Sequence, residues 1–167
     1  GPGTNLLAPV CDDWERAGEI EDGPRRVVCR IGVVLAVGGN AWEKIVLPIK
    51  LGVGGKLGSG RQFWPWITAV DLARALLFLV ENQAATGPYN LTAPEPARQI
   101  DLTRAVARRL RRPAFIPTPA VAIRIALGGV ADNLVLASCR ARPDRLLESG
   151  FRFQHATVPQ ALDHLMG

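Results

Sequence analysis

At 167 residues and 18.0 kDa, with 48% hydrophobic and 21% charged residues, the chain is sized for one ordinary globular domain and excludes a disordered polymer. A formal net charge of +5 admits an anionic partner, while no apolar run approaches the ~20 residues that cross a bilayer. The charge is uneven, with Asp12, Asp13, Glu15, Glu19, Glu21 and Asp22 near the front and Arg98, Arg104, Arg108, Arg109, Arg111 and Arg112 later.

The start lacks the basic and apolar regions of a signal peptide. Cys11, Cys29 and Cys139 match neither a disulfide framework nor a zinc spacing, so they read as reduced, mostly buried thiols of a cytoplasmic protein. His155 and His164 lack ligand-spaced partners, and no metal site is expected. The only methionine is Met166, which predicts a processed, cloned or truncated piece, with Gly1-Pro2-Gly3 as a candidate cloning scar.

In chain order, Pro9, Val10, Trp14 and Ala17 predict a helix over 9–18. The continuous β-branched run from Arg26 to Val37 predicts a central strand of a parallel sheet, covered on both faces. Arg30 within it needs a partner or a cleft, or else reaches solvent from a strand end. After Gly38-Gly39-Asn40, residues 41–51 form a short helix that Pro48 bends or ends.

Gly52 to Gly60 reads as a glycine-rich linker into a strand over 61–67, which Pro65 makes irregular or places at an edge. This run is the stretch expected to touch a ligand: glycines admit close approach, Arg61 offers a fork of donors to an anion, and indoles wall a pocket. A flexible turn leading into an aromatic strand is the other reading.

Thr68 and Asp71 predict a capped helix running to about Gln83, apolar through Leu72, Leu76, Leu77, Phe78, Leu79 and Val80 and therefore packed on several sides. A strand over 89–92 and a helix over 100–111 follow, the latter with an apolar stripe and an arginine stripe. Residues 114–116 predict a short strand, and Thr118-Pro119 caps an apolar helix ending at Gly128-Gly129. Residues 132–139 stay ambiguous, Pro143 to Ser149 is a short helix, and 157–166 is a final amphipathic one.

Familiar enzyme motifs fail. Gly52-Val-Gly-Gly-Lys-Leu-Gly58 has the wrong third position and does not join strand to helix, so it is no dinucleotide loop. Gly58-Ser59-Gly60 is not a nucleophile elbow, and no carboxylate pair stands out.

Taken together, the Asp-Trp-Glu helix, Arg-Val-Val-Cys-Arg-Ile-Gly-Val-Val-Leu, Leu-Gly-Ser-Gly-Arg-Gln, Asn-Leu-Thr-Ala-Pro and Arg142-Pro-Asp-Arg-Leu-Leu-Glu-Ser-Gly-Phe-Arg-Phe153 are similar to a known group. From about Thr4 to Met166 the chain resembles the C-terminal half of atypical extended short-chain dehydrogenases/reductases, the NAD(P)-dependent epimerase/dehydratase-like proteins with a C-terminal segment of unassigned role. The resemblance implies an α/β fold: a partial Rossmann-like sheet of the last parallel strands plus a small α/β substrate-binding lobe. Residues 1–97 would interleave late strands with lobe segments, and 98–167 would form a mainly helical family-specific segment.

It further implies a substrate site using Arg61 as anion clamp, Gln62 and Asn40 as hydrogen-bond partners and Trp66 as pocket wall, with Arg30 as a fifth candidate. Leu7 and Cys11 fall in the slots of the family's Tyr-x-x-x-Lys pair, so no catalytic residue is assigned. NAD(P) is implied for the whole family protein and none for this chain alone. The partners expected are a nucleotide-sugar-like small molecule and either a second copy or the missing N-terminal half. Two other functional classes remain: a non-enzymatic assembly module pairing through an exposed sheet, and nucleic-acid binding through Arg104, Arg108 and Arg112.

Overall fold

The computed structural model describes residues 7–19 and 23–167, with the side chains of Leu7 and Ala8 outside that description. The candidate scar at the start, the acidic Glu21 and Asp22, and the side chain in the tyrosine slot therefore lie outside the described residues.

Helix α1 (Leu7–Ala17) leads into β1 (Val27–Ile31) and β2 (Val33–Leu35). The single strand expected over 26–37 is divided at Gly32. There β1 runs parallel to β5 (Gly87–Leu91), in register from Val27 opposite Gly87 to Ile31 opposite Leu91, and β2 runs parallel to β4 (Trp66–Thr68). The Gly32 amide donates to the Leu91 carbonyl at 3.1 Å and the Val33 amide to the Pro65 carbonyl at 2.7 Å, so one residue hands the chain from one neighbour to the next. A Cβ on Gly32 would sit 2.8 Å from the Pro65 carbonyl oxygen, which excludes any side chain.

The strand is not covered on both faces either. Val27 to Cys29 are half-buried, Arg30 and Ile31 are exposed, and only Leu35 reaches the interior. Among the described residues β1 has one strand neighbour, so its second edge pairs with no strand.

Helix α2 (Asn40–Lys50) buries Trp42, Val46 and Ile49, spaced one and two turns apart. Pro48 is accommodated in its last turn, where its carbonyl accepts from the Val53 amide at 2.9 Å. Pro65 splits the next expected strand in two: β3 (Phe63–Trp64) pairs antiparallel with β6 (Ala97–Arg98), and β4 pairs with β2.

Helix α3 (Ala69–Glu81) is capped as its sequence predicts, the Asp71 amide donating to Thr68 Oγ1 at 3.2 Å. Its C-terminus is closed by Arg25, whose guanidinium donates to the carbonyls of Leu79, Val80 and Ala85. The expectation of packing on several sides fails. Asp71, Ala75 and Leu79 are buried on one face, while Leu77 and Val80 remain 58% and 66% exposed.

Helix α4 (Gln99–Leu110) buries Leu102, Thr103, Val106 and Ala107 and leaves Arg104 and Arg108 in solvent. Residues 114–116 belong to no regular strand. Helix α5 (Ala120–Leu127) starts at Pro119 without a side-chain cap, contrary to the role expected of Thr118, and ends at Gly128 with φ +60°. The ambiguous stretch begins as a π-helical turn, Ala131–Val135, followed by α6 (Asp144–Glu148) and α7 (Val158–Met166). Thr157 and Gln160 close a reciprocal capping box on α7.

Two apolar cores result. One joins Leu35, Trp42, Ile49, Trp66, Val106 and Leu162, and the other joins Ile67, Leu79, Tyr89, Leu91, Leu146 and Phe151. Each draws on residues from both sides of position 97. Phe78, Phe151 and Phe153 extend the second through edge-to-face contacts at 5.6 and 4.9 Å. No described helix is long and apolar enough to cross a membrane.

Candidate functional site

The glycine-rich run is a pinned strip of backbone, and the reading as a flexible turn is overturned. The Ile116 amide donates to the Gly54 carbonyl at 3.2 Å, the Thr118 amide to the Lys56 carbonyl at 2.9 Å, and the Gly58 amide to the Thr118 carbonyl at 2.9 Å. Gly54, Gly55 and Gly60 are buried. Gln99, at the first position of α4, accepts from the Leu57 amide at 3.0 Å and donates to Thr103 Oγ1 at 2.8 Å.

These bonds also bear on the glycine-rich run as a dinucleotide loop. The run lies between α2 and β3, not between strand and helix, and the amides of Leu57, Gly58 and Gly60 are spent on internal acceptors. The run therefore does not fit a dinucleotide pyrophosphate, which needs free amides at a helix start.

The five candidate residues separate. Arg61 is exposed, its amide donates to Ser59 Oγ at 3.2 Å, and its guanidinium has no hydrogen-bond or ion-pair partner among the described residues. Gln62 is 5% exposed and serves as a bracket, its Nε2 donating to the carbonyls of Leu57 at 3.0 Å and Val135 at 3.2 Å. Trp66 is 1% exposed and belongs to the first core, with Nε1 donating to the Glu95 carbonyl at 3.2 Å. Both side chains are spent on internal partners in this structure, because burial of an amide or an indole demands a partner within the fold.

Asn40 is exposed at the start of α2 and supplies no cap bond. Arg30 is exposed and has found a structural partner: Nε and one terminal nitrogen each donate to a Glu15 carboxylate oxygen at 2.7 Å, tying α1 to β1. That fork holds the Glu15 carboxyl below its usual range. A depressed folded-state value means the pair contributes above the unfolded carboxylate range and is lost as pH falls through the lower folded value. Arg30→Gln is expected to move the Glu15 midpoint back up towards that range in a carbon-13 NMR titration. An unmoved midpoint would assign the shift to another source.

The cysteines differ from expectation. Cys11 and Cys139 are exposed, and only Cys29 is sheltered enough for burial to push its thiol pKa up. Cys11, in the lysine slot of the family's catalytic pair, lies on the exposed side of α1. Among the described residues no three His, Cys, Asp or Glu side chains gather as metal ligands.

One cluster has no signal in the sequence. Two guanidiniums stack on the Phe63 ring, Arg98 at 5.3 Å and Arg140 at 5.2 Å from its centroid. Both are exposed and neither has an acidic partner among the described residues, whereas Arg16, Arg26, Arg30, Arg74, Arg109, Arg124 and Arg142 all do. Phe63 lies two residues beyond Arg61, whose guanidinium likewise has no acidic partner among the described residues.

The comparisons agree with this geometry. Residues 118–165 match a family model described as a domain of unknown function, DUF1731. The chain is 40% identical over 164 residues to epimerase family protein Mb2239 of Mycobacterium bovis, an alignment that takes in 97% of this chain and 54% of that protein. It superposes on the crystal structure of human epimerase family protein SDR39U1 (isoform 2) with NADPH at a TM-score of 0.92 and 33% identity, covering 99% of this chain and 56% of that one. The chain belongs to the atypical epimerase-like short-chain dehydrogenase/reductase family. A nucleoside-diphosphate sugar epimerase from Corynebacterium glutamicum is similar to this epimerase-like chain at a TM-score of 0.78 and 28% identity, over 99% of this chain and 32% of that one. The chain spans about half the length of the curated relatives it matches.

Proposed function

We propose that this chain is the substrate-binding portion of an NAD(P)-dependent epimerase/dehydratase-like protein that handles nucleoside-diphosphate-sugar-like molecules and is catalytically incomplete by itself. The observation that carries the reading is Arg61, an unpaired guanidinium on a glycine strip held rigid by Gln62, Gln99 and the 116–118 segment. A fork of donors on a fixed support binds an anion with little further ordering cost. In this reading the nicotinamide cofactor of the relatives belongs to a dinucleotide-binding portion that covers the open edge of β1 and the exposed Trp14, Ile31 and Val37.

Calorimetry with UDP-glucose tests the reading. Arg61→Ala is expected to weaken binding about tenfold, the equivalent of about 1.4 kcal/mol. Unaltered affinity removes Arg61 from the site. NADPH fluorescence is expected to be unchanged by this chain, and saturable NADPH binding would overturn its incompleteness.

A further inference from the structure

The segment 62–64 is laced into the region of unknown function by four hydrogen bonds. Gln62 Nε2 and Trp64 Nε1 both donate to the Val135 carbonyl at 3.2 Å, the Phe63 amide donates to Ser138 Oγ at 3.0 Å, and the Cys139 amide donates to the Phe63 carbonyl at 3.0 Å. On its other edge Phe63 pairs directly with Arg98 across the β3–β6 ladder. The backbone thus delivers Arg98 from one side and Arg140 from the other to the same ring. Bringing two like charges together without a carboxylate costs electrostatic free energy, and solvent only partly screens it. With a guanidinium from each of two segments against it, the ring is a poor platform for a nucleobase and acts as a spacer between the two charges.

We propose that the DUF1731 region completes an anion-binding pincer, in which its Arg140 and the Arg98 of β6 each take one anionic group of a small-molecule ligand that carries two or more phosphoryl or carboxylate groups. This rests on the substrate-binding reading only for the ligand's being a small molecule. The π-helical turn then has a task. Its final carbonyl, Val135, takes the side-chain donors of Gln62 and Trp64 and so sets the position of the segment that carries Arg140.

The test is calorimetry on the 167-residue chain at constant ionic strength, with inorganic pyrophosphate and with citrate as probes. One site is expected for at least one probe, pyrophosphate marking a phosphoryl ligand and citrate a carboxylate one. Arg98→Gln and Arg140→Gln should each weaken binding about tenfold, and the double variant should abolish it. Arg98→Lys and Arg140→Lys, which keep the charge and lose the fork, should fall between. Because the arginines are exposed, the thermal midpoint should not move, and circular dichroism checks this. The paired control Arg104→Gln with Arg108→Gln on α4 should bind as wild type. Absence of binding by either probe, or an equal loss in the α4 control, overturns the pincer. If Arg61→Ala loses UDP-glucose while neither pyrophosphate nor citrate binds, the pincer alone falls. If the pincer binds its probes and UDP-glucose binding is absent, the substrate reading alone falls.

Discussion

Asp71→Ala is expected to destabilise the chain by about 3 kcal/mol, the lower end of the cost of removing one partner from a buried ion pair, because Arg74 is partly in water. The Asp71 carboxylate is completely buried. It accepts from the Arg74 guanidinium at 2.8 Å, from the Gln154 amide at 2.9 Å and from the His155 amide at 2.8 Å, and Thr68 Oγ1 lies 3.4 Å away. It is the staple between the start of α3 and the segment that enters α7. Alanine leaves two main-chain amides without acceptors as well as a lone guanidinium. Asp71→Asn keeps one acceptor oxygen in place and should cost less. Urea unfolding gives the order, wild type above Asn above Ala, and limited proteolysis should cut near 151–157 first in the alanine variant. Equal stability of Asn and Ala would show that the amide acceptors do not matter.

Gly55→Ala should be as damaging for a different reason. A Cβ there would lie 2.0 Å from the Ile116 carbonyl oxygen and 2.6 Å from its carbonyl carbon, and main chain cannot rotate away as a side chain would. Relief requires separating the glycine strip from the 116–118 segment, which breaks the hydrogen bonds between them. The expected loss is about 3 kcal/mol, the upper end for overpacking, together with weaker ligand binding by Arg61 because its support moves. Gly129→Ala, where an added Cβ meets nothing within 4 Å, is the control and should be close to neutral. Thermal unfolding of both variants checks the contrast, and a neutral Gly55→Ala would mean that the strip and its partner are not in close contact in solution.

The contrast between Gly55 and Gly129 also shows where sequence reading stops. Both are the second glycine of a pair, and nothing local separates one pressed against a carbonyl from one in open solvent. Gln62 and Arg61 are adjacent polar residues and earned the same expectation, yet one side chain turns in to bridge the Leu57 and Val135 carbonyls and the other stays free. Arg30 called for a partner or a cleft, and which of the two it had depended on a carboxylate fifteen positions earlier. Arg98 and Arg140 carried no motif at all, because what distinguishes them is a shared phenyl ring supplied by a third segment.

What the sequence determined by itself is the order and type of most elements: the Thr68–Asp71 cap, the helix stop at Gly128, the apolar and arginine stripes of α4, and the family. Those signals act within one or two turns of chain, where spacing and side-chain chemistry suffice. The tertiary structure alone decided that Gly32 divides one apolar run between two partners, that α3 buries a single face, and that Trp66 is buried in the first core with its indole bound to the Glu95 carbonyl. It also decided which arginines remain unpaired. Burial and pairing are properties of what arrives from distant positions, and a residue's own neighbours in the chain do not record it.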